Sequence, residues 1–165
     1  MGTINMTPTQ TSNLAPSNHA QQTPYIVWTD LIIADAVTAK GTALADDDVI
    51  QVLDIPTHTL VLAAGLEVVA AMTGTSTDTA LDLGITGVDA DVFVDGFDYD
   101  GAAVGDRPAP PAAYFPLIVG GTADTLDILI EAMTGTMLTG TLRVWALLQD
   151  LNFYTFRPGI AVRAS

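Results

Sequence analysis

Short segments in which apolar and polar residues alternate with a period of two constrain the fold of this chain most strongly. Segments 79–86, 125–131 and 141–150 show this alternation, and 49–55 shows it with apolar residues on both faces. Segment 25–33 adds a β-branched and aromatic run. A period of two is typical of half-buried β-strands, and Gly, Pro and Asp residues punctuate the intervals. We therefore predict an all-β fold, an antiparallel β-sandwich of jelly-roll-like form.

Two further stretches bear on the strand count. The apolar stretch 60–72 is rich in alanine and is compatible with a short buried helix, but Gly65 inside it costs a helix about 1 kcal/mol relative to alanine. We predict either two strands bent at Gly65 or one long strand with a bulge. The proline-rich segment 101–116 is excluded from any central strand and is expected to cross the surface.

The distribution of charge divides the chain into three parts. Residues 1–29 contain no Asp, Glu, Lys or Arg, whereas all but one of the 19 acidic residues lie between positions 30 and 142. We predict an extended N-terminal arm over 1–24, a β-sandwich domain over 25–151 and a short C-terminal tail over 152–165. The arm is either a floppy terminus or a segment that becomes ordered only against a partner.

Composition excludes several classes of function. The chain has 5 Lys and Arg residues and a formal net charge of -14, so it lacks the bases that nucleic-acid phosphates and anionic lipids require. Its longest apolar stretch falls short of the roughly 20 residues that a bilayer span needs. We therefore expect neither a nucleic-acid nor a membrane partner.

Residues with catalytic potential are few. The chain contains no Cys, and its two histidines, His19 and His58, lie far apart with no Gly-x-Ser-x-Gly motif to complete a nucleophilic site. His58 follows a predicted strand and is expected to be a surface or turn residue. We predict that the protein is not an enzyme and uses no cofactor.

An acidic run over 89–101 raises the question of calcium, because carboxylates are the ligands that Ca²⁺ prefers. Asp89, Asp91 and Asp95 are the candidates. The run departs from the EF-hand pattern, since Phe93 occupies the third ligand position and no Glu closes the loop. We favour the alternative, a solvated edge strand and turn protected by its charges, with no metal.

Several stretches carry a family resemblance. They include VIQVLDIPTHTLVL from position 49, TALDLGI from 79, DADVFVDGFD from 89, TADTLDI from 122 and GTLRVWALLQDL from 140. Over roughly 45–151 the chain resembles the small capsid decoration, or cement, proteins of tailed bacteriophages. The resemblance implies a jelly-roll-like domain, commonly a homotrimer, on the outer surface of an icosahedral head. It also implies terminal arms that reach the major capsid protein and bridge its subunits.

Two sets of contact residues follow from this hypothesis. The candidates for contact with the major capsid protein lie in or near the arm and tail: Ile4, Met6, Leu14, Tyr25, Phe156, Arg157 and Arg163. The candidates for contact between copies are apolar residues on the outward side of their strands: Ile50, Val52, Trp145 and Leu147. A second sheet of the same sandwich would cover these outward residues equally well.

A different class of function remains open. A head-fibre or surface β-module that binds carbohydrate on a host would use exposed aromatic rings as stacking surfaces. The candidates for such stacking are Tyr99, Tyr114, Phe115 and Tyr154.

Overall fold

A computed structural model of the chain describes residues 2–6, 23–111 and 116–151. In chain order its elements are β1 (Thr3–Asn5), β2 (Tyr25–Ile32), α1 (Ile33–Lys40), β3 (Val49–Ile55), β4 (Thr59–Gly74), β5 (Asp78–Ile85), β6 (Asp89–Asp98), β7 (Leu117–Val119), β8 (Asp124–Thr134) and β9 (Met137–Asp150). Among these described residues, no helix is long and apolar enough to span a bilayer.

The strands form two sheets that enclose one apolar core. One sheet has the order β1-β3-β8-β5-β6 and the other has the order β2-β9-β4-β7. Neighbouring strands are antiparallel except β1 and β3, which are parallel. Alternate residues of the central strands, such as Leu126 and Ile128 in β8 and Val144 and Ala146 in β9, are buried between the sheets. The prediction of an all-β antiparallel sandwich is confirmed.

The apolar stretch 60–72 lies within a single long strand, β4. Its pairing with β9 shifts register between Val61 and Ala63 and again between Val68 and Ala70, whereas Gly65 stays in register opposite Trp145. One long strand with irregularities is thus the correct alternative of the two predicted. The acidic run likewise forms the edge strand β6, as favoured in the sequence analysis.

The helix α1 is not predicted by the alternation pattern. We expected a strand over 25–33, but β2 ends at Ile32 and the chain turns into eight helical residues. Gly41 ends the helix in the left-handed conformation, with its N–H bonded to the carbonyls of Val37 and Thr38. Ile33 and Ala36 anchor the helix in the core. A helix this short offers only two turns of periodicity, too few to stand out within a β-branched run.

Candidate interaction surfaces

The side of the β2-β9-β4-β7 sheet that faces away from the core carries an apolar surface, which we call the outer sheet face. Its apolar members include Ile26, Trp28, Ile32, Leu60, Ile118, Trp145 and Leu147. Ile26 is 67% exposed, Trp28 58% and Ile118 66%, which are high values for large apolar side chains. Alternation produces this surface, because the intervening residues of each strand point into the core.

The strand register brings these residues together in rows across the sheet. Trp28 lies opposite Trp145, and Ile26 lies opposite Leu147 on the adjacent pair. On the far side of the sheet, Leu60 of β4 lies opposite Ile118 of β7. Cross-strand neighbours of this kind have Cβ atoms about 4.5–5.5 Å apart, so the side chains form a continuous patch.

The Trp145 ring packs against the backbone of β4 at Gly65. A Cβ atom at position 65 would lie 2.8 Å from Cζ2 of Trp145, closer than such atoms approach in proteins. Only glycine therefore allows the indole to lie flat against the backbone of β4. This contact explains why a glycine interrupts the longest apolar stretch of the sequence.

The charged side chains on the outer sheet face form ion pairs. Arg143 donates from Nε and Nη2 to the two carboxylate oxygens of Asp30, at 2.8 and 3.0 Å. Its guanidinium also lies 4.6 Å from the centre of the Trp28 ring, within cation–π range. Arg107 donates to Glu67 at 2.9 Å. Two acids and two bases thus cancel, and the face is locally neutral on a chain of net charge -14.

Trp145 and Leu147, two of the residues predicted to contact another copy, therefore lie half-buried on an exposed face. Ile26, Trp28 and Ile118 are not predicted as contact residues from the sequence. Apolar residues occupy both faces of 25–33, so alternation cannot tell which of them point outward. Their assignment depends on the pairing of β2 with β9, which joins segments more than a hundred residues apart.

Ile50 and Val52 do not belong to this surface. Each is only 1% exposed, because both side chains belong to the apolar core of the sandwich. The expectation that they contact another copy is wrong, and the alternative, burial by a second sheet of the same sandwich, is correct. Intrachain burial accounts for the double-faced apolar pattern of 49–55.

Ile4 is likewise unavailable to a partner. It is 4% exposed, because residues 3–5 add strand β1 to the edge of β3. The prediction that Ile4 contacts the capsid is therefore wrong. Met6 and Tyr25 are partly buried against the core. The other capsid-contact candidates, Leu14, Phe156, Arg157 and Arg163, lie outside the described residues.

A buried carboxylate secures β1. Asp48 is 2% exposed and accepts hydrogen bonds from the backbone N–H of Gly2 at 3.0 Å and of Ala45 at 2.8 Å, and it pairs with Lys40. Burial alone would raise the pKa of Asp48, but these hydrogen bonds and the Lys40 charge outweigh burial and lower it. The start of the predicted arm is thereby tied to the sandwich, and 7–22 connects β1 in one sheet to β2 in the other.

The acidic residues on the other sheet assemble differently from the calcium prediction. Oxygens of Asp82, Asp95 and Glu131 lie within 4.8 Å of one another, and this set could hold a cation. Burial raises the pKa of Asp82, although a hydrogen bond from the Gly96 N–H acts to lower it. The charge of Glu131 adds to the increase. Of the three predicted candidates, only Asp95 belongs to this cluster.

Asp89 and Asp91 instead interact with each other. A hydrogen bond between their carboxyl groups raises the pKa of Asp89. Both residues belong to the edge strand β6, as the alternative of a charge-protected edge predicts.

Two other predicted residues have structural positions. Tyr99 is buried and donates its hydroxyl to the carbonyl of Ala70 at 3.0 Å, so its expected role as an exposed stacking ring is wrong. Burial raises the pKa of Tyr99 to about 12. Tyr114, Phe115 and Tyr154 lie outside the described residues. His58 is an exposed turn residue, as expected, and its backbone bonds to Gly120 and Leu151.

Comparisons with known proteins bear on the fold. No protein-family model and no curated protein sequence matches the chain. A solved structure described as the capsid of Ralstonia phage GP4 matches with a TM-score of 0.61 at 14% identity, covering 88% of this chain and 97% of that chain. The cyanophage Pam1 capsid asymmetric unit matches with a TM-score of 0.55 at 15% identity, covering 87% of this chain and 96% of that one. The chain thus shares its fold with chains of two phage capsids.

Proposed function

We propose that this protein is a structural component of a bacteriophage virion that decorates the outer surface of the head. The observation that carries the proposal is the likeness to a chain of the Ralstonia phage GP4 capsid, which spans nearly the full length of both chains. At 14% identity that likeness concerns the fold. The likeness therefore supports the fold. The function proposed from it is supported by the resemblance of the sequence to cement proteins.

In this proposal the protein is a jelly-roll-like module that acts by holding neighbouring major capsid protein subunits together. The sandwich supplies a rigid body, and the segments 7–22 and 152–165 supply the contacts. The first of these is uncharged, and the second carries Arg157 and Arg163 beside three aromatic residues. Apolar and backbone contacts made by these two segments would provide the affinity.

Self-association belongs to the same proposal. We take the assembled unit to be a homotrimer, in keeping with the resemblance noted above. Its role is structural, so we expect no turnover of a substrate.

Add-back to heads tests the proposal. Purified protein is mixed with heads that lack it, and the bound fraction is measured by co-sedimentation. We expect saturable binding that raises the temperature at which the heads rupture. Absence of binding by the folded protein would contradict the proposal.

Two variants test the proposed segments. Replacing 7–22 with a Gly-Ser segment of equal length keeps β1 in its sheet, which deletion of the whole of 1–24 would not. Truncation after Leu151 removes the tail and leaves β9 whole. We expect each variant to retain the unfolding midpoint of the full chain and to bind heads less tightly. Undiminished binding by both variants would exclude the clamping role.

A further inference from the structure

We propose that the outer sheet face is the contact between copies of this chain. The proposal deepens the self-association described above, because it names the surface and its occupant, a second copy. The charge and the area of the outer sheet face both favour a second copy as its occupant.

Charge favours this face over the acidic parts of the described surface. All 19 acidic residues lie within 2–6, 23–111 and 116–151, together with three bases, Lys40, Arg107 and Arg143. Two of the three bases are on the outer sheet face, where each is paired with an acid. Copies with a net charge of -14 repel each other across unpaired carboxylates. At the outer sheet face they can meet without bringing unpaired carboxylates together.

The chemistry of the face matches that of protein interfaces. Interface centres are depleted in unpaired charge and enriched in tryptophan and arginine. Here two tryptophans lie side by side, with the Arg143 guanidinium over Trp28 and aliphatic side chains on both flanks. In a homotrimer one part of this face contacts a different part of the same face on the next copy around the threefold axis.

The area is sufficient for the centre of such a contact. The paired parts of β2, β9 and β4, each about 4.8 Å wide and eight residues long at about 3.4 Å per residue, cover roughly 440 Å² together with the three residues of β7. A standard interface buries about 800 Å² on each partner. The margin can come from the loop that runs beside β4, where Gly105 N–H bonds to the Val68 carbonyl and Val104 is 67% exposed.

Matched charge substitutions test the proposal. Trp28→Asp and Ile118→Asp each place a carboxylate at the proposed contact, and Val88→Asp places one at an equally exposed position in the turn between β5 and β6. Native mass is measured by light scattering, and the urea midpoint is measured as a check on folding. We expect the wild type and Val88→Asp to be oligomeric with the same mass. We expect the two face variants to fall to the 17.2 kDa monomer and to remain folded.

Acrylamide quenching of tryptophan fluorescence adds a measurement that would not change if Ile118 had a purely structural role. In the oligomer Trp28 and Trp145 are expected to be protected, and in Ile118→Asp to be accessible, although that substitution leaves both rings in place.

Three results would overturn the proposal. The first is a monomeric wild type. The second is an oligomer that both face variants preserve. The third is a monomer whose tryptophan fluorescence is quenched by oligosaccharides, which would make the face a glycan-binding surface. These outcomes are independent of binding to heads. A protein that assembles through Trp28 but fails to bind heads would contradict the proposed function and support the contact.

Discussion

The indole of Trp145 lies against the backbone of Gly65, so close that a Cβ atom at position 65 would be 2.8 Å from Cζ2 of the ring. The two residues lie opposite each other in the pairing of β4 with β9. Glycine at position 65 therefore allows the Trp145 ring to lie close to the backbone of β4 at the centre of the outer sheet face.

Gly65→Ala should therefore displace the Trp145 ring. We expect a loss of about 1–2 kcal/mol in the free energy of unfolding, at the lower end for overpacking because the ring can swing outward. Urea denaturation measures the loss, and acrylamide quenching reports the newly exposed ring. Gly120→Ala is the control, since no atom lies within 4 Å of its added Cβ and its φ is ordinary. Equal stability of the two variants would show that Gly65 is not needed for packing.

Asp48→Ala should release the first strand. Removing this buried carboxylate leaves Lys40 without its ion-pair partner, with only the Ala43 carbonyl to accept from it, and leaves the N–H groups of Gly2 and Ala45 without their acceptor. We expect a loss of about 3 kcal/mol, as for other broken buried pairs, and faster hydrogen exchange in residues 2–6. The exposed neighbour variant Asp46→Ala should change neither quantity. Unchanged exchange in Asp48→Ala would mean that pairing with β3 alone holds β1.

The same carboxylate affects the response to acid. Because the folded-state pKa of Asp48 is lowered, its stabilising contribution is complete above the ordinary aspartate pKa and is lost as the pH falls through the folded value. The stability difference between the wild type and Asp48→Ala should therefore shrink below about pH 4. A difference that stays constant to lower pH would contradict this linkage.

Asp127 should have the opposite effect. Burial raises its pKa, and the hydrogen bond from the Thr86 backbone N–H, at 3.3 Å, offsets the increase only in part. The ionised form is thus disfavoured in the folded state, so its destabilising contribution at neutral pH is relieved as the pH falls through the raised pKa. We expect Asp127→Asn to increase the free energy of unfolding at pH 7 and to lose that advantage near pH 4. Urea titrations at both values test this, and a destabilised variant at pH 7 would contradict it.

Salt should strengthen association between copies. The outer sheet face carries paired charges, whereas the remaining described surface is strongly acidic, so screening removes repulsion without weakening the apolar contact. We expect the dissociation constant measured by sedimentation equilibrium to fall as ionic strength rises. Exposed pairs contribute about 0–1 kcal/mol each, so their own screening is a small opposing effect. Dissociation at high salt would indicate a contact made by complementary charges instead.

Much of the sandwich could be predicted from the sequence, because four strands alternate polar and apolar residues along one buried face. The register could not, since it joins segments far apart in the chain and depends on packing across the whole sheet. Trp28 and Trp145 illustrate this limit, as each is visible in its own segment and their pairing is not. Strand β1 is too short to show a period, so the sequence does not distinguish Ile4 from the rest of the predicted arm.

The contact surfaces were predictable only in part, for a related reason. Apolar residues on both faces of a strand can be covered by a second sheet or by another molecule, and local sequence does not distinguish the two. In 49–55 the sheet covers Ile50 and Val52, and in 141–150 Trp145 and Leu147 remain on the outside. Position in the sheet does not decide between these outcomes, since β3 and β9 each have a neighbouring strand on both sides, and what decides is whether another part of the chain packs over that face of the strand.

The central claim is that this protein is a structural component of a phage head, and one measurement tests it directly. Phage heads that lack this protein, as used for add-back, are incubated with the purified protein and imaged by cryo-electron microscopy with icosahedral averaging. The account predicts added density of this sandwich on the outer surface, at fixed lattice positions that span neighbouring coat subunits. Bare heads in the presence of excess folded protein would contradict it.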